Sequence, residues 1–292
     1  MASSKLKWQS KTVLLLVLPA VGANVVLETH WWLVGDWPVA VWTLGLSALL
    51  GLVAWRMRSA TPGAAFAGVV ITASLMFSSA RFPYLPWRTM LVPVVAVLAM
   101  TAIATRLGRK RKEQLGTAEH RRGRTASQVA ANLGIATLVG CEVAQNWLMA
   151  QGRLHLLLVP TAVFVVGLAA LCEAAADTVS SELGQVLNSR PRMITTLCVM
   201  EAGTDGAISL GGTLAGVIAA GVVAAAGALA LQGGWLLFLA SWAAGVFGLF
   251  FDSLLGATLE RRGWLNNDAV NFLSTLSAAG FSLALLAILP GF

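Results

Sequence analysis

Charge is scarce in this chain. Only 11% of its 292 residues are Asp, Glu, Lys or Arg, whereas a soluble domain carries about a quarter. A soluble globular protein is therefore excluded. With 57% of residues hydrophobic, so is a disordered chain, which needs low hydrophobicity. The short alternating segments of a membrane β-barrel are missing as well. Three cysteines, Cys141, Cys172 and Cys198, form no CxxC pair and no zinc-ligand spacing, and they read as small apolar packing residues. GxxxxGK[ST], HExxH and GxSxG do not occur, which leaves P-loop, metalloprotease and α/β-hydrolase chemistry without a signature.

What the chain has in quantity is apolar runs of roughly 16–25 residues, long enough to cross about 30 Å of hydrocarbon as helix. The expectation is an all-α polytopic membrane protein with about nine transmembrane helices, near 12–30, 38–55, 63–80, 89–106, 128–150, 155–176, 206–231, 234–257 and 269–289. The N-terminus imitates a secretory signal, with Lys5, Lys7 and Lys11 before an apolar run and Val-Gly-Ala before Asn24, but reads as a first membrane helix. With nine spans and a cytoplasmic N-terminus, 17 of the 20 Lys and Arg residues fall on cytoplasmic connections and 3 on the other side, as the positive-inside rule requires. The C-terminus then lies outside. The net charge of +7 reports this topology rather than a nucleic-acid partner. Trp31, Trp32, Trp37, Trp87, Trp147 and Trp235 fall near the outer boundary, where amphipathic rings settle. One integral-membrane domain, 1–292, is expected, with the first two helices (1–55) peripheral to a core of 56–292. A hairpin or re-entrant segment is expected over Met193–Met200.

Polar residues inside such helices are costly and face an interior or a cavity. Glu173, Asp177, Ser181 and Gly184 recur at helical spacing on one face of the sixth span, and Glu182 follows. Carboxylates with a hydroxyl between them suit a hard divalent cation such as Mg²⁺, or alternatively a salt bridge to Arg106. Gly203-Thr204-Asp205-Gly206 precedes the seventh span, where Asp205 reads as a helix cap and the glycines as a phosphate approach. Asp252 lies in the last turns of the eighth span, against the helix dipole, so a cation must offset it. Asn267, Asp268 and Asn271 open the ninth span. Arg121, Arg122, Arg124, Gln128 and Asn132 enter the fifth, where arginines clamp phosphates or bind lipid headgroups. All these clusters fall at cytoplasmic helix ends. Together they supply carboxylates for metal, arginines and helix starts for phosphate, and amides for orientation, the parts of a phosphoryl-transfer site. Glu142, Gln145 and Asn146 lie toward the outer side and read as an interhelical network or a pathway lining.

Four strings then appear in order: Asp177-Thr-Val-Ser-Ser-Glu-Leu-Gly184, Gly203-Thr-Asp-Gly-Ala-Ile-Ser-Leu-Gly-Gly-Thr-Leu-Ala-Gly216, Asp252-Ser-Leu-Leu-Gly-Ala-Thr-Leu259 and Asn267-Asp-Ala-Val-Asn271. They resemble the phytyl-phosphate kinase family of chloroplast phytol salvage and its bacterial, archaeal and animal transmembrane relatives, over roughly residues 56–292. Asp177, Glu182, Thr204, Asp252, Asn267 and Asn271 match family motif positions. The resemblance implies a membrane kinase that converts an isoprenyl monophosphate (phytyl, geranylgeranyl or farnesyl) to its diphosphate with CTP or ATP and Mg²⁺. On this expectation Asp177, Glu182 and Asp252 bind metal. Arg124 and Gly203–Gly206 hold phosphates, and Ser181, Gln128, Asn132, Asn267, Asp268 and Asn271 position substrate or nucleotide. The site faces the cytoplasm of a bacterial-type inner membrane, among its lipids. A CTP-dependent lipid cytidylyltransferase and a flippase of phosphorylated lipids remain the alternatives.

Overall fold

Each long apolar run folds as helix because lipid offers its backbone no hydrogen-bond partner, so every N–H and C=O must be satisfied within the segment. The computed structural model describes residues 6–115, 123–150, 160–187 and 190–288. Its helices are α1 (Lys7–Gly35), α2 (Trp37–Arg56), α3 (Pro62–Ser78), α4 (Leu91–Arg106), α5 (Arg109–Leu115), α6 (Ala126–Gly140), α7 (Glu142–Ala150), α8 (Pro160–Gly184), α9 (Leu210–Ala230), α10 (Gly234–Leu255) and α11 (Asn267–Ile288). A two-stranded antiparallel pair, β1 (Arg192–Met193) with β2 (Ala207–Ile208), sets Arg192 opposite Ile208 and Met193 opposite Ala207. Arg192 also bridges Val199, so the expected hairpin is present.

Six helices are long and apolar enough to cross a membrane: α1, α2, α8, α9, α10 with the turn that extends it, and α11. A seventh crossing results if α4 and α5, bent by 64° at Leu107–Gly108, act as one span. The other two segments give the shorter apolar helices α3, with 17 residues, and α6, with 15. At 1.5 Å per residue α6 reaches only about 22 Å. The single span expected at 128–150 is broken at Cys141, whose backbone is extended (φ −77°, ψ 114°). Side chains satisfy the backbone freed there: Glu142 N–H donates to Asn24 Oδ1 at 2.9 Å, and Gln145 Nε2 donates to the Val139 carbonyl at 2.7 Å.

The bundle is built around α8. About 89% of its apolar window is buried, against 28–44% for the other long helices, as expected of a helix apolar on every side. It packs against α4, α6, α9, α10 and α11. Small residues permit the approach. A Cβ at Gly216 would meet the Ala176 carbonyl at 2.7 Å, and one at Gly248 would meet Glu173 Cγ at 2.5 Å. α1 is packed into the same core, with Val13, Val17 and Val21 buried, and it is tied to the start of α11 through Gln9 and Asn266. Because α8 is enclosed, its ionisable residues face protein rather than lipid.

Candidate functional site

Glu173 and Asp177 lie one turn apart on α8, and Asp252 of α10 comes up beside them. The Asp177 and Asp252 carboxyl groups face one another closely enough to interact, and Ser274 of α11, whose hydroxyl donates to the Asn271 carbonyl at 3.0 Å, stands beside Glu173 and Asp252. Glu173 is 1% exposed. Glu173 Oε1 and Asp252 Oδ2 are buried without a hydrogen-bond partner among the described residues. Such orphaned oxygens are rare in native proteins and mark a missing ion, water or ligand. Carboxylates this close repel strongly in a low-dielectric interior, and a cation between them removes that repulsion.

Arg124 faces this group from the start of α6. Its Nη2 donates to Thr178 Oγ1 at 3.5 Å, and its charge acts on Asp177. The backbone is pinned: Arg124 N–H donates to the Ser59 carbonyl and Thr61 N–H donates to the Arg124 carbonyl, both at 3.0 Å. Gly123 permits this crossing, with φ +75° and only 2.6 Å from its would-be Cβ to the Arg58 carbonyl. Thr125 caps α6 reciprocally with Gln128. One turn on, Asn132 donates to the Gln128 carbonyl at 2.8 Å and accepts from Asn271 Nδ2 of α11 at 3.5 Å.

The Gly203–Gly206 turn docks on the end of α10. There α10 widens into a π-helical turn, Gly256–Glu260, a distortion frequent at functional sites. Gly206 has φ +74°, and a Cβ on it would sit 2.2 Å from the Ala257 nitrogen. Asp205 therefore lies near Glu260 and Arg261. Partial burial pushes its carboxyl above the usual range, and Arg261 pulls it partly back.

A cavity of about 710 Å³ shares Arg124 and Asn132 with the carboxylate site. Its walls come from α2, α3, α4 and α6, with Ala174 of α8 at the boundary. Arg58, Arg106, Arg109 and Arg124 line its polar end.

Comparison with known proteins follows the same residues. Residues 45–279 match the family described as integral membrane protein DUF92. The chain belongs to that family. An uncharacterized membrane protein of Methanocaldococcus jannaschii is 42% identical over 47% of the chain and 59% of its own length. One from Synechocystis is 33% identical over 75% of the chain and 78% of its own length. Protein VTE6, chloroplastic, of Arabidopsis thaliana is 31% identical over 62% of the chain and 54% of its own length. The chain thus spans little more than half of two of these relatives. No solved structure matches. The membrane family expected from the four ordered strings, with plastid and prokaryotic members, is the one found.

The DUF92 match encloses every candidate residue, but the structure sorts them. Asp177, Asp252, Arg124, Asn132 and Asn271 converge. Glu182 does not: it pairs with Lys112, which is 1% exposed, and accepts from Thr105 Oγ1 at 3.4 Å. Lys112 also donates to the Ala104 carbonyl at 2.7 Å. Ser181 is exposed and returns its hydroxyl to the Thr178 carbonyl. Gln128 serves the α6 cap. Asp205 is not a helix cap, because α9 begins at Leu210 with Ser209 capping Gly212 N–H at 3.2 Å; the residues between are spent on β2. Thr204 bonds the Glu201 carbonyl at 2.8 Å inside the turn. Asn267 is exposed and Asp268 buried at the start of α11. There the capping atom is Asn266 Oδ1, which accepts from Ala269 N–H at 2.9 Å. Arg121 and Arg122 lie outside the described residues. Missed from sequence were Ser274 and the cavity's Arg58 and Arg106. Glu173, expected on the Asp177 face, lies beside Asp177 and Asp252.

Proposed function

We propose that this DUF92 protein transfers a phosphoryl group from a nucleoside triphosphate to an isoprenyl monophosphate, giving the prenyl diphosphate. The observation that carries the reading is the Asp177–Asp252 pair, held on two helices with a buried unpartnered oxygen and with Arg124 opposite. Among the described residues no three His, Cys, Asp or Glu side chains form a metal-binding group. Two carboxylates suit Mg²⁺, which takes one or two from protein and completes its shell with phosphate and water. Asp177 and Asp252 would hold it, and it would supply neutralisation of phosphate charge. Glu182 is engaged with Lys112 and is not needed in this set.

The chain's own groups account for the remainder. Arg124 binds the acceptor or transferring phosphate in a fork geometry that lysine lacks. The Asn132–Asn271 pair orients it, and backbone N–H groups of the Gly203–Gly206 turn are placed for nucleotide phosphates. An acceptor phosphate oxygen attacks the γ-phosphorus, the bond to the β-phosphate bridging oxygen breaks, and the nucleoside diphosphate leaves. The acceptor oxygen is already ionised at neutral pH, so no strong general base is required. The resemblance to phytyl-phosphate kinases and the family kinship with a chloroplast protein support the same acceptor class. We place the site on the cytoplasmic face, where nucleotides are available, with nine crossings and the N-terminus inside. Purified protein with Mg²⁺, one nucleotide at a time and farnesyl, geranylgeranyl or phytyl monophosphate should yield the prenyl diphosphate and the nucleoside diphosphate by mass spectrometry. Pyrophosphate and a CDP-lipid would instead identify a cytidylyltransferase.

A further inference from the structure

We infer that the cavity between α2, α3, α4 and α6 is the tail pocket of a single-chain prenyl phosphate, and that its volume accommodates a chain of about twenty carbons. The inference rests on the phosphoryl-transfer reading and specifies its acceptor. The pocket is polarised along its length. Leu50, Gly68, Thr72 and Val94 line one end, Arg58 and Arg106 the other. From Val94 to Arg106 the wall follows α4 for about 18 Å. Neither Arg58 nor Arg106 forms an ion pair with a described residue. The ligand this pattern fits is an apolar chain with an anionic head, and the head would sit next to Arg124 and Asn132.

Volume selects among such ligands. An apolar void of about 150 Å³ holds benzene, which sets roughly 25 Å³ per carbon. A twenty-carbon tail then needs about 500 Å³, and the 710 Å³ present leaves space for a phosphate. A fifty-carbon carrier lipid needs about 1,250 Å³ and a diacyl phospholipid with about thirty-two chain carbons about 800 Å³. The fifty-carbon lipid far exceeds the pocket, and the diacyl lipid would fill it with no room for its headgroup.

Gly68 offers a clean test. It lines the pocket, and a Cβ built there meets nothing within 4 Å. Gly68→Leu would therefore occupy tail volume without a backbone clash. At Gly51 the same addition would strike Val69 Cγ2 at 2.4 Å. Phe66, 67% exposed on the same helix and outside the pocket, provides a control in Phe66→Leu.

The experiment uses the full chain in detergent with a photoreactive geranylgeranyl monophosphate, competed by unlabelled geranylgeranyl or geranyl monophosphate. In the wild type, crosslinks should fall on α3 and α4 peptides. Gly68→Leu should weaken competition by the twenty-carbon ligand about tenfold, the worth of two buried methylenes, and leave the ten-carbon ligand and the Phe66→Leu control unchanged. Crosslinks elsewhere, an unchanged chain-length ratio in folded Gly68→Leu, or equal competition by phosphatidylglycerol would overturn the pocket. Wild-type crosslink positions decide the matter even if Gly68→Leu fails to fold. Labelling confined to α3 and α4 in protein that makes no prenyl diphosphate would retain the pocket and reject the kinase reading.

Discussion

Asp252→Asn should make the protein more stable and less active. In the wild type, the Asp177 and Asp252 carboxyl groups face one another inside the bundle. Two unit charges within about 4 Å would repel by about 4 kcal/mol at an effective dielectric of about 20, a cost the pair otherwise meets by holding a shared proton. Solvent and the neighbouring Arg124 screen much of this. An asparagine replaces the repulsion with an N–H donated to the Asp177 carboxylate, and a hydrogen bond to a charged group is worth about 1.5–3 kcal/mol net. A gain near 2 kcal/mol corresponds to about 4–8 °C in Tm. Saturating Mg²⁺ and nucleotide at about a hundred times Kd should stabilise the wild type by about 2.7 kcal/mol and the variant far less. The order of stability therefore reverses on adding ligand, while turnover of prenyl monophosphate falls by about 10²–10³, the usual loss when a group stabilising transition-state charge is removed. Thermal unfolding in detergent, with and without ligand, reads both halves. A variant less stable than wild type without ligand, or one that keeps its ligand-induced shift and its turnover, would refute the paired-carboxylate account.

Breaking the Lys112–Glu182 pair by Lys112→Met should destabilise the protein by about 3–5 kcal/mol by stranding a buried charge. Adding Glu182→Leu should recover most of that loss, measured by thermal unfolding of the two variants. Gly206→Ala should cost about 3 kcal/mol or more, through both a left-handed backbone and overpacking against Ala257. Gly234→Ala, at φ +65° with open space around it, should cost about 1 kcal/mol by the same assay. The raised Asp205 carboxyl means that the folded chain holds this proton more tightly than the unfolded chain. Its contribution to stability is therefore present at acid pH and is lost as pH rises through the usual 3.8 toward the folded value; Asp205→Asn should reduce the fall in Tm on raising pH from about 4.

Much of the architecture could be read from hydropathy alone. Each of the nine apolar segments is helical, though only six, or seven with the bent α4–α5 pair, are long enough to cross a membrane, and Asp177 and Asp252 stood out because a carboxylate in an apolar helix needs a reason. Glu182 was grouped with Asp177 by sequence proximity, yet five residues along a helix rotate the side chain by about 140°. Glu173, four residues back, shares the Asp177 face, so helical geometry applied strictly would have preferred it. The interruption of α6 carries no proline; only the tertiary bond to Asn24 and the local one from Gln145 reveal how the extended Cys141 is tolerated. Ser209 rather than Asp205 starts α9 because the intervening residues pair with Arg192 and Met193, a contact distant enough in sequence to leave no local trace. Arg58 joins Arg124 through the docking of the α2–α3 connection on the segment entering α6, and Arg106 comes to the same cavity from the end of α4; no spacing rule exists for either.

The central claim is that the Asp177–Asp252 centre moves a phosphoryl group onto a prenyl phosphate. Its most direct test is to follow a γ-labelled nucleoside triphosphate with geranylgeranyl monophosphate in the presence of wild-type protein and of Asp177→Asn. The account predicts label in geranylgeranyl diphosphate with the wild type and none with the variant. Label retained in the nucleotide or released as pyrophosphate, or equal transfer by Asp177→Asn, would contradict it.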